Sequence, residues 1–292
     1  MMSTAPALQA RFVTIFDDTY NQPDCRDYYR MQRALGYENH AHAVPAFCAV
    51  LDELIRVRHL ATPSVFDFAS SYGIVSALMK HEVSHKAFLD FYVSEELDAL
   101  TPQNMAERDK AWLESLPQRY PNATFSGLDV ADRAVAYGLE VGVFDHAFAE
   151  DLQHNAPSDA LTRCAADTDL IVECGSVAHL IPTALDRLLT LSTAKKPWVV
   201  TSPIRGNERP ATFEALRDHG YSIQTMGTKP FPHRRFESPV EQARAIEIAR
   251  AAGHDTTGLE TTGSFFAQIY VARPTEEATD IPLSVAGVTS VD

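Results

Sequence analysis

Five carboxylates stand where apolar runs give way to small or polar residues. Asp67 precedes Ala69, Ser70, Ser71 and Gly73. Small residues let a backbone approach a ligand closely, and a helix starting there favours a negative group. The acidic Asp67 reverses that preference and suits a cation such as an ammonium. It would repel a pyrophosphate, and no G-x-G-x-x-G is present, so a dinucleotide fits poorly. Asp129, with Val130 beside it, ends a second run; a carboxylate there can accept both hydroxyls of a ribose. Glu150 and Asp151 follow a third run. They could accept the exocyclic amino group of an adenine, or face solvent as surface acids. Glu173 lies within a fourth run, where a buried carboxylate needs a partner and could serve as a base.

Imidazoles and phenols supply the second set of candidates. His179 follows Glu173 closely and could take a proton near neutral pH. Tyr28, Tyr37 and His40 belong to a stretch dense in aromatics and imidazoles. Such rings either face a cation or pack helices onto a core. Residues 229–236 are the most basic spot of an acidic chain, bracketed by prolines. There Arg234 or Arg235 could clamp a carboxylate or phosphate. Arg235, His233 and His40 are the substrate-side candidates.

His81-Glu82-Val83-Ser84-His85 matches the zinc-helix pattern H-E-x-x-H. The extended pattern fails, because Phe88 stands where a glycine is required. Ser84 reads instead as the cap of a following helix. A solvated helix end is the expectation, with no metal.

Positioning these residues requires a sheet. Strand patterns cover 65–70, 124–130, 143–149, 168–175, 197–204, 220–226 and 264–273. Helical patterns lie between them, at 74–82, 132–141 with Asp132 as cap, from 182, at 210–219 and at 240–252. The alternation predicts an α/β fold with a doubly wound, mostly parallel sheet. Ligands then bind at the carboxyl ends of the strands, where the candidates fall. Residues 1–62 read as an N-terminal helical cap. Residues 63–274 read as the sheet domain, with a charged helical insertion at 84–120 and a Pro-rich loop and helix at 229–263. Residues 275–292 read as a flexible tail.

Together these segments resemble a class I S-adenosylmethionine-dependent methyltransferase of the small-molecule type. FDFASSYG stands in the place of that family's acidic, glycine-containing first motif. GLDVADRAVAYG resembles its second-strand segment, FAEDL its third motif and TDLIVECG its fourth strand. The resemblance spans roughly 60–228 and 264–273. It implies a seven-stranded sheet in the order 3-2-1-4-5-7-6, the last strand antiparallel. It implies S-adenosylmethionine as cofactor, with Asp67 at the ammonium, Asp129 at the ribose and Tyr28 in the capping segment. His179, Glu173 and Tyr37 would serve the reaction. Ala69, Ser70 and Ser71 depart from the family's glycines, so only Gly73 matches there. A catalytically inactive nucleoside-binding module or partner subunit on the same fold is the alternative.

The chain has 292 residues and a net charge of −14. That balance argues against nucleic acid as partner, which needs a basic face. No apolar run is long enough for a membrane span. Met1 to Ala10 carries no secretory pattern, and the four cysteines are scattered. A cytoplasmic protein with reduced thiols and a small-molecule methyl acceptor is expected; a homodimer is allowed.

Overall fold

The structure, a computed structural model, describes residues 19–175, 180–280 and 289–290. Its strands form one sheet in the order β3-β2-β1-β4-β5-β7-β6-β8. They are β1 (Ser64–Phe68), β2 (Thr124–Asp129), β3 (His146–Ala149), β4 (Leu170–Glu173), β5 (Trp198–Thr201), β6 (Tyr221–Arg235), β7 (Ser264–Pro274) and β8 (Thr289–Ser290). β1 to β5 run parallel, and β7 enters antiparallel between β5 and β6. The expected order is therefore present, with an eighth strand added on β6.

The central strands β1, β2, β4 and β5 are buried on both faces, as parallel strands require, while β3 at the edge is partly exposed. The sheet's side chains alternate between two cores. Val65, Leu170, Val172, Trp198 and Val200 face one, and Phe66, Phe68, Ile171 and Val199 face the other. The first core also takes α1 (Arg26–Ala34) and α2 (Asn39–Arg58), through Tyr29, Phe47, Leu51 and Leu54. The insertion at 84–120 joins the same core with Phe88, Leu89, Met105 and Leu113. Buried Asp109 ties these parts together, accepting from Tyr92 Oη at 2.9 Å and Tyr137 Oη at 2.7 Å. No described helix is long and apolar enough to cross a membrane.

Three expectations need correction. Residues 229–235 are not a loop: β6 continues to Arg235, pairing Phe231 with Ala267 and Pro232 with Phe266. The prolines are tolerated because β8 pairs only with Gln224 and Thr225, leaving that stretch at an edge where a missing N–H costs little. The tail is not all irregular. Thr275–Asp280 is helical, and its Glu277 accepts from Trp198 Nε1 at 2.5 Å and Arg58 Nη2 at 2.8 Å. Residues 281–288 and 291–292 lie outside the described residues. Asp132 is not the cap of its helix, α6 (Asp132–Glu140), but its first residue. Asn21 caps α6 from across the chain, accepting from Arg133 N at 2.8 Å and Ala134 N at 3.3 Å.

Candidate functional site

A cavity of about 340 Å³ opens along the carboxyl ends of the parallel strands. That volume lies at the small end of ligand pockets. Sheet order gives it two halves. Asp129, Val130, Glu150 and Asp151 line it over β2 and β3, while Ile204, His233, Arg234 and Phe265 line it over β5, β6 and β7. Asp67, Ser70, Ser71, Cys174 and Gly175 lie between, at the β1–β4 switch point.

Asp67 is 1% exposed at the end of β1. Its Oδ2 accepts from Ser76 Oγ at 2.7 Å and Ser76 N at 3.3 Å, on α3 (Ile74–Lys80). Burial, reinforced by the charges of Asp129 and Glu173, pushes its carboxyl up to about 7. The following turn keeps the backbone that glycines would adopt. Ala69 and Ser71 take left-handed φ of 55° and 51°, and Gly73 takes 85°. At Gly73 a Cβ would meet Val143 Cγ1 at 2.6 Å and Phe144 Cζ at 2.7 Å, so glycine is required there. Ala69 carries strain of about 1–2 kcal/mol. Ala69→Gly is therefore expected to stabilise or leave unchanged the urea midpoint, against the usual loss of ~0.5–1 kcal/mol for this exchange. A loss of that usual size would refute the strain.

Asp129 is 6% exposed and accepts three hydrogen bonds. Ser71 N and Tyr20 Oη donate to Oδ2 at 2.9 and 2.7 Å, and Ala131 N donates to Oδ1 at 3.0 Å. Tyr20 belongs to a strap. Next to it, Gln22 N donates to Tyr72 Oη at 2.7 Å and Asn21 caps α6. The density of tyrosines was the only signal for Tyr20, and sequence reasoning missed it. Beyond β3, Glu150 also lines the cavity, but its carboxylate accepts from Ser158 Oγ at 2.6 Å and Ser158 N at 2.9 Å. Asp151 accepts from Gln153 N at 2.9 Å and lies 2.6 Å from the His154 ring. Both acids have structural roles as well as cavity positions. Val130 lines the rim and is two-thirds exposed.

On the other side, Tyr28, Tyr37 and His40 come from α1, α2 and their junction to wall the cavity. Burial raises the Tyr28 phenol to about 12 and Tyr37 higher still. His40 and His233 are 5% and 2% exposed. Burial lowers both imidazoles, His233 to about 3 with help from Arg234. Each leaves its Nδ1 without a partner.

Several expected roles move. Arg235 does not reach the cavity; its Nη2 donates to Ala34 O at 2.6 Å beside Gly36. Arg234 lines the cavity instead. A bulge between Pro232 and Arg235 breaks the strand alternation and lets consecutive His233 and Arg234 both do so. Arg234 is bound by Glu241 at 3.1 and 2.6 Å and lies over Phe265. Glu173 is fully buried and accepts from Thr201 Oγ1 on the neighbouring strand; it is not a cavity residue. His179 lies outside the described residues. Asn39, which sequence reasoning also missed, donates to Cys174 Sγ at 3.2 Å and Ser202 Oγ at 3.4 Å below the cavity.

The H-E-x-x-H segment is not a helix. His81 ends α3 with extended backbone, and Ser84 caps α4 (His85–Asp90) by accepting from Ala87 N at 3.1 Å. The two imidazoles thus fall on different elements. No group of three metal-ligating side chains occurs among the described residues.

No protein-family model matches the chain, and no curated protein does. Solved structures do. A magnesium protoporphyrin IX methyltransferase from Synechocystis with bound SAM is 11% identical, covers 94% of this chain and 98% of its own, and superposes with a TM-score of 0.42. A TehB-like SAM-dependent methyltransferase from Corynebacterium glutamicum is 11% identical over 91% and 98%, with a TM-score of 0.36. A putative tRNA (m1A22) methyltransferase from Streptococcus pneumoniae is 12% identical over 75% and 68%, with a TM-score of 0.33.

Proposed function

We propose that this chain is an S-adenosylmethionine-dependent methyltransferase acting on a small molecule. One observation carries the reading. Asp67, Asp129 and Glu173 are 1%, 6% and 0% exposed at the sheet's carboxyl edge, and the latter two raise the carboxyl of the first. Among the described residues, the one Lys or Arg lining the cavity is Arg234, already held by Glu241. A negative, largely apolar cavity favours a cationic organic ligand.

The donor set fits the cofactor. Asp67 would hold its ammonium, Asp129 its ribose, and the unpartnered Oγ of buried Ser70 offers a further bond. Asp129 uses three of roughly four acceptor positions, so a ribose competes with Tyr20. When bound, the cofactor supplies an electrophilic methyl group on a sulfonium. Tyr28, Tyr37 and the strap wall off water on the helical side. The cavity's modest volume favours a small acceptor, and the net charge of −14 disfavours a nucleic acid. The cysteines, all four free thiols, favour the cytoplasm.

Calorimetry tests the reading. S-Adenosylmethionine and its demethylated product are expected to bind. Asp129→Ala should weaken both ten- to a hundredfold with the fold intact, since charge-assisted bonds contribute about 1.5–3 kcal/mol. Absence of binding at millimolar concentration would overturn the assignment.

A further inference from the structure

The proposed cofactor contacts use the β1–β3 side of the cavity and leave the β5–β7 side to the acceptor. We propose that this side takes an uncharged, planar acceptor carrying an O–H or N–H, and that Nδ1 of His233 receives that hydrogen. The inference rests on the methyl-transfer reading and goes further by naming the substrate class and the proton's destination.

His233 Nε2 lies 3.3 Å from the carbonyl oxygen of Gly175. A carbonyl oxygen only accepts, so Nε2 carries the hydrogen. The ring, held neutral by burial and by Arg234, has only one. Nδ1 is therefore a bare lone pair, buried and without a partner. Such an orphan costs about 1–3 kcal/mol until a donor meets it. A ligand O–H or N–H is the group that satisfies it, whereas an ether, a tertiary amine or a carboxylate is not. Charge points the same way. The guanidinium of Arg234 is engaged twice by Glu241, so a carboxylate or phosphate would meet no uncompensated cation among the described lining. Tyr37, Ile204 and Phe265 supply flat and apolar wall for a ring system.

The proton balance closes. The acceptor heteroatom forms its bond to the methyl carbon with a lone pair, and the carbon–sulfur pair stays on sulfur. The heteroatom–hydrogen bond breaks, its electrons remain on the heteroatom, and the proton rests on Nδ1. One positive charge leaves the sulfonium and one appears on the imidazole. The buried site therefore gains no net charge, which offsets the resistance of this ring to protonation. The proton passes to water when the product leaves.

The experiment uses the full chain with S-adenosylhomocysteine and three probes: 2-naphthol, 2-methoxynaphthalene and 2-naphthoate. Naphthol is expected to bind at least tenfold more tightly than the other two. His233→Phe should abolish that preference. His233→Asn, which keeps an amide oxygen near the Nδ1 position, should retain part of it. Nitrogen-15 NMR of the wild-type imidazoles at pH 7 should show His233 neutral with hydrogen on Nε2. Naphthoate binding as well as naphthol, or a hydrogen on Nδ1, would overturn the inference even if a variant fails to fold. Naphthol failing to bind while the nucleoside binds sinks this inference alone. Failure of the nucleoside to bind overturns the methyl-transfer reading instead.

Discussion

Asp67→Asn is expected to make the ligand-free protein more stable above pH 7 while removing most of its affinity for S-adenosylmethionine. Asp67 titrates near 7 in the fold against 3.8 when exposed. Between those values the folded chain holds a proton that the unfolded chain has released. The contribution of Asp67 to wild-type stability therefore falls as pH rises from about 4 to 7 and then levels off. A gap of that width corresponds to a loss on the order of 4 kcal/mol. The cause is burial first, then the neighbouring charges of Asp129 and Glu173, opposed by the bonds from Ser76. Asparagine keeps the shape and an acceptor for Ser76 but removes the charge. The buried imidazoles of His40 and His233, with lowered pKa values, act in the opposite direction but equally in both proteins. Thermal melts from pH 4 to 9 should therefore show the variant gaining on the wild type across this window, the two converging at the acid end. The same carboxylate gains when a cation arrives. Binding of the cofactor below pH 7 should release a proton, and affinity should fall about tenfold per pH unit there. Parallel melting profiles, or a variant that binds as tightly as wild type, would refute the role of Asp67.

Gly175→Ala should be the most damaging single methyl in the site. Gly175 sits at φ 67°, and a Cβ would lie 2.3 Å from Asn39 Nδ2 and 2.5 Å from His233 Nε2. Neither neighbour can swing away cheaply. Asn39 is fully buried against Cys174 and Ser202, and His233 is buried beneath Tyr37 and bonded to the Gly175 carbonyl. Left-handed strain adds about 1–2 kcal/mol and overpacking about 1–3 kcal/mol. A melting temperature lower by on the order of 10 °C is expected for a chain of this size. Because the methyl displaces the His233 ring, the naphthol preference should vanish while nucleoside affinity, centred on Asp129, falls less. A variant with wild-type melting and wild-type probe selectivity would show that the glycine is not needed.

Much of this was legible along the chain, for identifiable reasons. Val65–Phe66, Leu170–Val172 and Trp198–Val200 are buried on both faces of a parallel sheet, so they read as short unbroken apolar runs. The carboxylates that close such runs, Asp67 and Asp129, could be placed at the ligand edge from topology alone. The left-handed turn was not legible, because Ala69 and Ser71 adopt a backbone that their side chains disfavour. Nor were the partners that come from afar. Tyr20 reaches Asp129 across 109 residues and Asn39 reaches Ser202 across 163.

What local chemistry decides, the sequence determined: the strand order's raw material, the small-residue turn, and the acids at the strand ends. Periodicity and turn propensity act over a few residues, and that is the range over which side-chain type dictates conformation. The substrate half was decided only by the tertiary structure. A bulge in β6 exchanges Arg235 for Arg234 at the cavity, Glu241 neutralises that arginine, and the Gly175 carbonyl selects the tautomer of His233. Each of these depends on which groups meet across the fold, and burial changes their charge and hydrogen-bonding capacity only once they have met.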